Sequence, residues 1–207
     1  MIYPASRRFA LQSIAKGALL ASAIGTLGLM SACSDKKPEF KAVDITGADY
    51  AKDFALTDHN GQTRTLADFK GKMVVLFFGY TQCPDVCPTT MAELAEVKKQ
   101  LGQDGDKLQA LFVSVDPERD TPALLKAYMA NFDPSFLALR PTPEQLPELA
   151  KSFKMYYKKV DGKTPTSYTM DHSAGSYVYD PQGRVRLFTR YGSGTPALVS
   201  DLQQLLK

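Results

Sequence analysis

The sequence predicts an α/β fold: a mixed central sheet flanked by helices, opened by an N-terminal β-hairpin. Three observations predict it. Two apolar runs, residues 72–79 and 108–115, are continuous rather than alternating, the pattern of strands buried on both faces. A stretch with helical spacing lies between them, so the two strands join as a parallel βαβ unit, right-handed like nearly all such crossovers. A closing hairpin near the C-terminus adds antiparallel strands and makes the sheet mixed.

Taken in order, residues 54–57 and 62–66 flank Asp58-His59-Asn60-Gly61, and strand, Asn-Gly turn and strand make a hairpin. The first buried strand follows at 72–79. Thr90-Met91-Ala92-Glu93 has the Thr-x-x-Glu spacing of a capping box; Met91, Leu94, Val97 and Leu101 continue at helical intervals, and Gly102 can close the helix. The second buried strand, 108–115, stops at Asp116-Pro117. Thr121-Pro122 opens a helix through Leu124, Leu125, Tyr128 and Met129, with proline at its first position. A third helix is expected at about 143–153. Residues 154–170, polar and rich in Tyr and Lys, read as a strand leading into a long excursion. Residues 176–179 and 184–188 flank Asp180-Pro181-Gln182-Gly183 as a second hairpin, and a last helix covers about 196–206. A cysteine pair sits at the end of the first buried strand, just before a helix. That is the thioredoxin arrangement, so the fold class is α/β, thioredoxin-like.

The N-terminus reads as an export leader. Arg7, Arg8 and Lys16 make a basic head, an apolar run covers 17–30, and the small residues Ser31 and Ala32 precede Cys33. This is the layout of a secretory signal peptide, and the run is shorter than the roughly 20 residues a spanning helix needs. Met30-Ser31-Ala32-Cys33 resembles a bacterial lipobox, with methionine where an aliphatic residue usually stands. The expected organisation is a signal peptide at 1–32, a lipid anchor at Cys33 with a polar linker to 45, and the folded domain at 46–207. More than one acyl chain on one cysteine gives a stable anchor. Such a protein is exported and held by lipid in the cell envelope, on the periplasmic side of a membrane. The chain has 25 basic and 22 acidic residues, but three of the basic ones belong to the leader. The remainder is formally neutral, which gives no support to nucleic-acid binding.

With Cys33 assigned to the anchor, Cys83 and Cys87 are the two cysteines of the body. They stand in Gly79-Tyr80-Thr81-Gln82-Cys83-Pro84-Asp85-Val86-Cys87-Pro88, three residues apart. Two thiolates at this spacing can converge on one metal ion across a helical turn, or close a disulfide in an oxidising compartment. Pro88 lacks an N–H, so the pair is expected on an irregular turn that ends where the capping box starts the helix. Two soft sulfurs suit Cu(I) and, with an imidazole, Cu(II). A four-ligand structural zinc site is poorly served, because the chain offers only His59 and His172. His59, in the hairpin turn, reads as a solvated histidine. His172, in Met170-Asp171-His172-Ser173, enters a strand expected beside the cysteine motif, and is the candidate third ligand.

Four stretches together resemble the Sco/SenC family of copper proteins that assist assembly of cytochrome c oxidase. They are Phe78-Gly79-Tyr80-Thr81, Cys83-Pro84-Asp85-Val86-Cys87-Pro88, Val115-Asp116-Pro117-Glu118-Arg119-Asp120-Thr121-Pro122 and Asp171-His172-Ser173, in that order across most of 46–207. The resemblance implies copper ligation by Cys83, Cys87 and His172. It also implies copper delivery to, or preparation of the cysteines of, the dinuclear copper site of cytochrome c oxidase subunit two. Other copper chaperones and a thiol reductant are implied as further partners. No role attaches to the Asp-Pro-Glu-Arg-Asp-Thr-Pro stretch. The alternative is a thiol–disulfide oxidoreductase of the cell envelope that uses Cys83 and Cys87 as its redox pair; it would not need His172. A peroxidase of the wider superfamily is disfavoured, since Tyr80 and Pro84 stand where its threonine would precede the cysteine.

Overall fold

The computed structural model describes residues 38–164 and 167–207; the expected signal peptide and Cys33 lie outside the described residues. The sheet is built from β1 (Val43–Asp44), β2 (Leu56–Asp58), β3 (Thr63–Arg64), β4 (Met73–Gly79), β5 (Leu108–Ser114), β6 (Leu137–Arg140), β9 (Ser176–Tyr179) and β10 (Val185–Thr189). β7 (Tyr157–Asp161) and β8 (Tyr168–His172) pair only with each other, as a separate antiparallel hairpin. The helices are α1 (Val86–Gln100), α2 (Pro122–Met129), α3 (Gln145–Ser152) and α4 (Thr195–Leu205).

The sheet order is β1-β10-β9-β4-β5-β6-β2-β3. β4 and β5 run parallel in register from Met73 opposite Leu108 to Gly79 opposite Ser114, and every residue of both is buried. That accounts for their unbroken apolar runs: neither face reaches water. β9 closes on the other side of β4 antiparallel, so the strand leading to the cysteines is bonded along both edges. The sheet is mixed, as the sequence predicts, and the parallel β4-α1-β5 unit is present.

Both hairpins of the main sheet are fastened by an aspartate at the strand end. Asp58 accepts from the amides of Asn60 (2.8 Å) and Gln62 (2.9 Å) and from Arg64 Nε (2.9 Å). Asp180 does the same with the amides of Gln182 and Arg184, and with the guanidinium groups of Arg184 and Arg186. Short aspartate side chains mimic a backbone acceptor in turns, and here the added charge is paired.

Several expectations are corrected. β6, with only four residues, was not anticipated, and it carries β2 and β3 onto the sheet edge. The long excursion is the β7–β8 hairpin. α1 begins at Val86, ahead of the capping box, and runs through Cys87 and Pro88. Pro88 falls in the first turn, where the amide it lacks would have had no helical partner anyway. Thr90 is therefore no cap; its hydroxyl donates back to the Val86 carbonyl at 2.8 Å. Part of the stretch read as linker is fastened to the domain. Both Lys41 and Ala42 donate amides to the Asp201 carboxylate on α4 (2.8 Å each), and β1 pairs with β10. His59 is half-buried rather than simply solvated: its Nδ1 accepts from the Ala138 amide of β6 at 3.1 Å. Among the described residues no helix is long and apolar enough to cross a membrane.

Candidate metal centre

β4 ends at Gly79, and the chain turns through Tyr80 to Asp85 before α1 starts. Cys83 lies on this turn, half-buried, with its amide on the Tyr80 carbonyl (3.2 Å). Cys87 lies in the first turn of α1 and is fully buried. Its amide, which has no helical partner, points at Cys83 Sγ at 3.4 Å. Gly79 makes room for this packing. A Cβ built there would fall 2.7 Å from the Phe112 ring, 2.9 Å from Phe77 and 3.0 Å from Cys87 Sγ. The glycine ending the strand is thus a requirement of the sulfur's position.

His172 arrives from the last residue of β8, with Nε2 3.5 Å from Cys87 Sγ. Its Nδ1 lies 3.0 Å from the Ser173 carbonyl, which can only accept, so Nδ1 carries the proton and Nε2 presents its lone pair toward the sulfurs. The edges of Phe77 (5.9 Å between centroids) and Tyr80 (6.0 Å) hold the ring in place. Burial lowers the His172 pKa and so favours the neutral, ligating imidazole. Burial also pushes the Cys87 thiol well up, with the neighbouring Cys83 adding to the effect. Without a cation to offset it, burial favours the protonated thiol at Cys87.

The two sulfurs and the imidazole nitrogen all lie within 4.8 Å of one another. Bonds from a first-row ion such as zinc to sulfur and nitrogen run about 2.0–2.3 Å, so ligands of one ion are at most about 4.6 Å apart. Shifts of a few tenths of an ångström would seat an ion among the three. Two thiolates and one imidazole are a soft, low-coordinate set that matches copper in both of its common oxidation states. The structure therefore brings together all three predicted ligand residues, and both cysteines are free thiols. His59 pairs with β6 and has no part in this cluster.

Sequence reasoning missed the supports around the site. Asp120 is fully buried below the cysteine turn and accepts from Thr81 Oγ1 (2.6 Å), the Thr81 amide (3.2 Å) and Ser114 Oγ (2.6 Å). Burial raises its pKa, and the donors from Ser114 and Thr81 oppose that. The signal for these supports was the Asp-Pro-Glu-Arg-Asp-Thr-Pro stretch itself: a charged run directly after a buried strand.

The family model for SCO1/SenC matches residues 43–207. The chain is 41% identical over 143 residues to the mitochondrial protein SCO2 homolog of Bos taurus, covering 68% of this chain and 53% of that protein. It is 33% identical over 159 residues to an SCO2-like protein of Rickettsia felis, covering 75% and 78%. The structure of Bradyrhizobium japonicum ScoI with copper bound is 43% identical and covers 74% of this chain and 97% of that one, with a TM-score of 0.67. The chain spans about half the length of the mammalian relatives it matches.

Proposed function

Because this chain belongs to the SCO1/SenC family, we propose that it is a copper metallochaperone of cytochrome c oxidase assembly. Cys83, Cys87 and His172 would hold one copper ion. Its target would be the dinuclear copper site of oxidase subunit two, to which it delivers copper or whose cysteines it prepares. The observation that carries this reading is the orientation of His172. A reductase needs only the two sulfurs, yet here an imidazole is fixed in the ligating tautomer and aimed at them.

Copper is the cargo in this reading. Cys83 and Cys87 supply thiolates once the cation displaces their protons, and His172 supplies a neutral nitrogen. Three ligands leave room for an incoming thiolate from a recipient. The test is copper titration of the fully reduced and fully oxidised protein. One copper ion per reduced chain is expected, with weak loading of the Cys83–Cys87 disulfide form, since neutral disulfide sulfurs are poor ligands where thiolates are good ones. Equal affinity in both states would remove the cysteines from the site.

The second reading, thiol–disulfide exchange, is favoured by the unequal exposure of the pair. Cys83 is half-buried and able to meet a partner disulfide, while Cys87 is enclosed and placed to resolve the mixed disulfide. The two readings share one site, and a thiol reductant would keep either form active. Attachment to the envelope membrane through lipid on Cys33 completes the proposal. Changing Cys33 to Ser should release the protein from membranes or leave the unprocessed precursor. A mature N-terminus without lipid would refute the anchor.

A further inference from the structure

The Asp116-Pro117-Glu118-Arg119-Asp120-Thr121-Pro122 stretch contributes no ligand, yet Arg119 stands between the two parts of the metal centre. Its Nη1 donates to Gln82 Oε1 (3.0 Å), the residue just before Cys83, and to the Tyr168 carbonyl (2.9 Å), the first residue of β8. Its Nε pairs with Asp116. The guanidinium plane lies on the Tyr168 ring, with Cζ 3.5 Å from the centroid, and the Tyr168 hydroxyl returns to Asp116 Oδ1 at 2.8 Å. The arginine side chain is only 18% exposed, and its Nη2 is buried without a partner among the described residues.

The position matters because of what β8 lacks. Among the described residues its one strand partner is β7, and the pair forms a two-stranded sheet separate from the eight-stranded one. Tyr168 and His172 are the two ends of the same strand, on the same face because they are an even number of residues apart. A tie at Tyr168 therefore sets the line along which His172 reaches the sulfurs. Asp120, next in sequence to Arg119, anchors Thr81, the neighbour of Gln82 at the start of the same cysteine turn. We infer that Arg119 is a positioning residue that clamps the histidine-bearing hairpin to the cysteine turn, so that the third ligand is presented ready-aimed. This inference rests on the copper reading given above. An arginine suits the task because one planar group stacks and donates in two directions at once; a lysine cannot do both.

The experiment compares Arg119→Gln, Arg119→Lys and Gln82→Ala with the unaltered chain and with His172→Ala. Arg119→Lys keeps the charge opposite Asp116, and Gln82 is exposed, so its removal leaves the core untouched. Cu(II) affinity should fall about ten- to a hundredfold in both arginine variants, the usual effect of losing an outer-shell support. Their Cu(II) absorption and electron paramagnetic resonance spectra should move toward those of His172→Ala, while Cu(I) affinity is unchanged. Gln82→Ala should move the same way by less. In metal-free protein, amide hydrogen exchange of β8 should quicken while that of β4 and β5 stays as before. Unaltered Cu(II) spectra together with unaltered β8 exchange in Arg119→Lys and Gln82→Ala would overturn the clamp. Equal quickening of β4, β5 and β8 would overturn it too, by reducing Arg119 to a general structural residue. If the unaltered chain bound no copper, the metal reading would fall, and exchange in the metal-free protein would still decide the clamp.

Discussion

The cysteines and the histidine of the metal centre are carried by two very different pieces of the molecule. Cys83 and Cys87 follow β4, a strand bonded on both edges and buried along its whole length, and Cys87 sits inside the first turn of a fifteen-residue helix. His172 ends β8, a strand with one partner, and most of the residues of β7 and β8 are exposed or half-buried. Cys87 cannot move its sulfur without disturbing the core, because close-packed interiors transmit small displacements. The second is attached by side chains: the Arg119 and Asp116 contacts, the Lys159–Glu118 ion pair at 3.4 Å, and the buried Met170. The division ties the thiolates to the fixed core and the imidazole to a hairpin whose aim depends on side-chain contacts.

The largest effect should come from the fixed side. Changing Cys83 or Cys87 to Ser should abolish tight copper binding altogether, as read by competition with a chelator, because hydroxyl oxygen is a poor ligand for a soft ion. Retained binding in either variant would erase the distinction between the regions. Next, His172→Ala should weaken Cu(II) binding by more than about a hundredfold, above the cost of losing a mere outer-shell partner. Cu(I) should suffer less, since two thiolates can hold it in a linear arrangement. Equal losses for both oxidation states would mean that the imidazole is as fixed a ligand as the sulfurs.

The frame itself should respond to acid through Asp180. Burial alone would raise its pKa, but the bonds from Arg184 and Arg186 together hold it below the ordinary carboxylate value of 3.8. A lowered folded-state pKa contributes stability that is present above about pH 3.8 and is lost as pH falls through the folded value. Asp180→Asn should therefore cost roughly 1.5–3 kcal/mol at pH 7 in denaturant unfolding, the range for hydrogen bonds to charged groups, and that difference should shrink toward pH 2. A cost that does not vary with pH would assign the effect to geometry rather than charge. The smallest effect belongs to the hairpin surface. Val160 is exposed on β7, and Val160→Lys should change unfolding stability by less than about 0.5 kcal/mol. A larger loss would show the hairpin to be part of the cooperative core.

The same contrast governs what could be read from the sequence. β4, β5 and both main-sheet hairpins were legible because burial on two faces, or an aspartate-led turn, leaves a strong local pattern. β7 was legible only as a strand somewhere in 154–170, and its pairing with β8 was not, because Tyr-Lys-Lys-Val-Asp and Tyr-Thr-Met-Asp-His bury little and so lack a clear alternation. β6 and β1 are too short to carry a period. The sequence places the start of α1 too late, because Pro88 reads as a barrier although a first-turn proline forfeits no helical bond. Cys83, Cys87 and His172 were found through residue chemistry and family resemblance. Their supports escaped notice because Arg119, Asp120 and Thr81 join segments remote in sequence: the charged run after β5 marks a place of interest but does not say which segments it binds.

Gly79 gives the fixed region one more property, and it concerns tolerance to substitution. The strand end, two aromatic rings and a sulfur meet where even one added methyl group has no room. Replacing this glycine with alanine would not merely strain a turn; it would push directly on Cys87. The copper-reading side of the molecule thus has a position at which a substitution remote from any ligand in chemical terms is adjacent to one in space. A lineage that altered Gly79 would have to shrink Phe112 or Phe77 as well. The set of constrained residues is therefore larger than the three ligands, and it includes the glycine on which the first ligand turn begins.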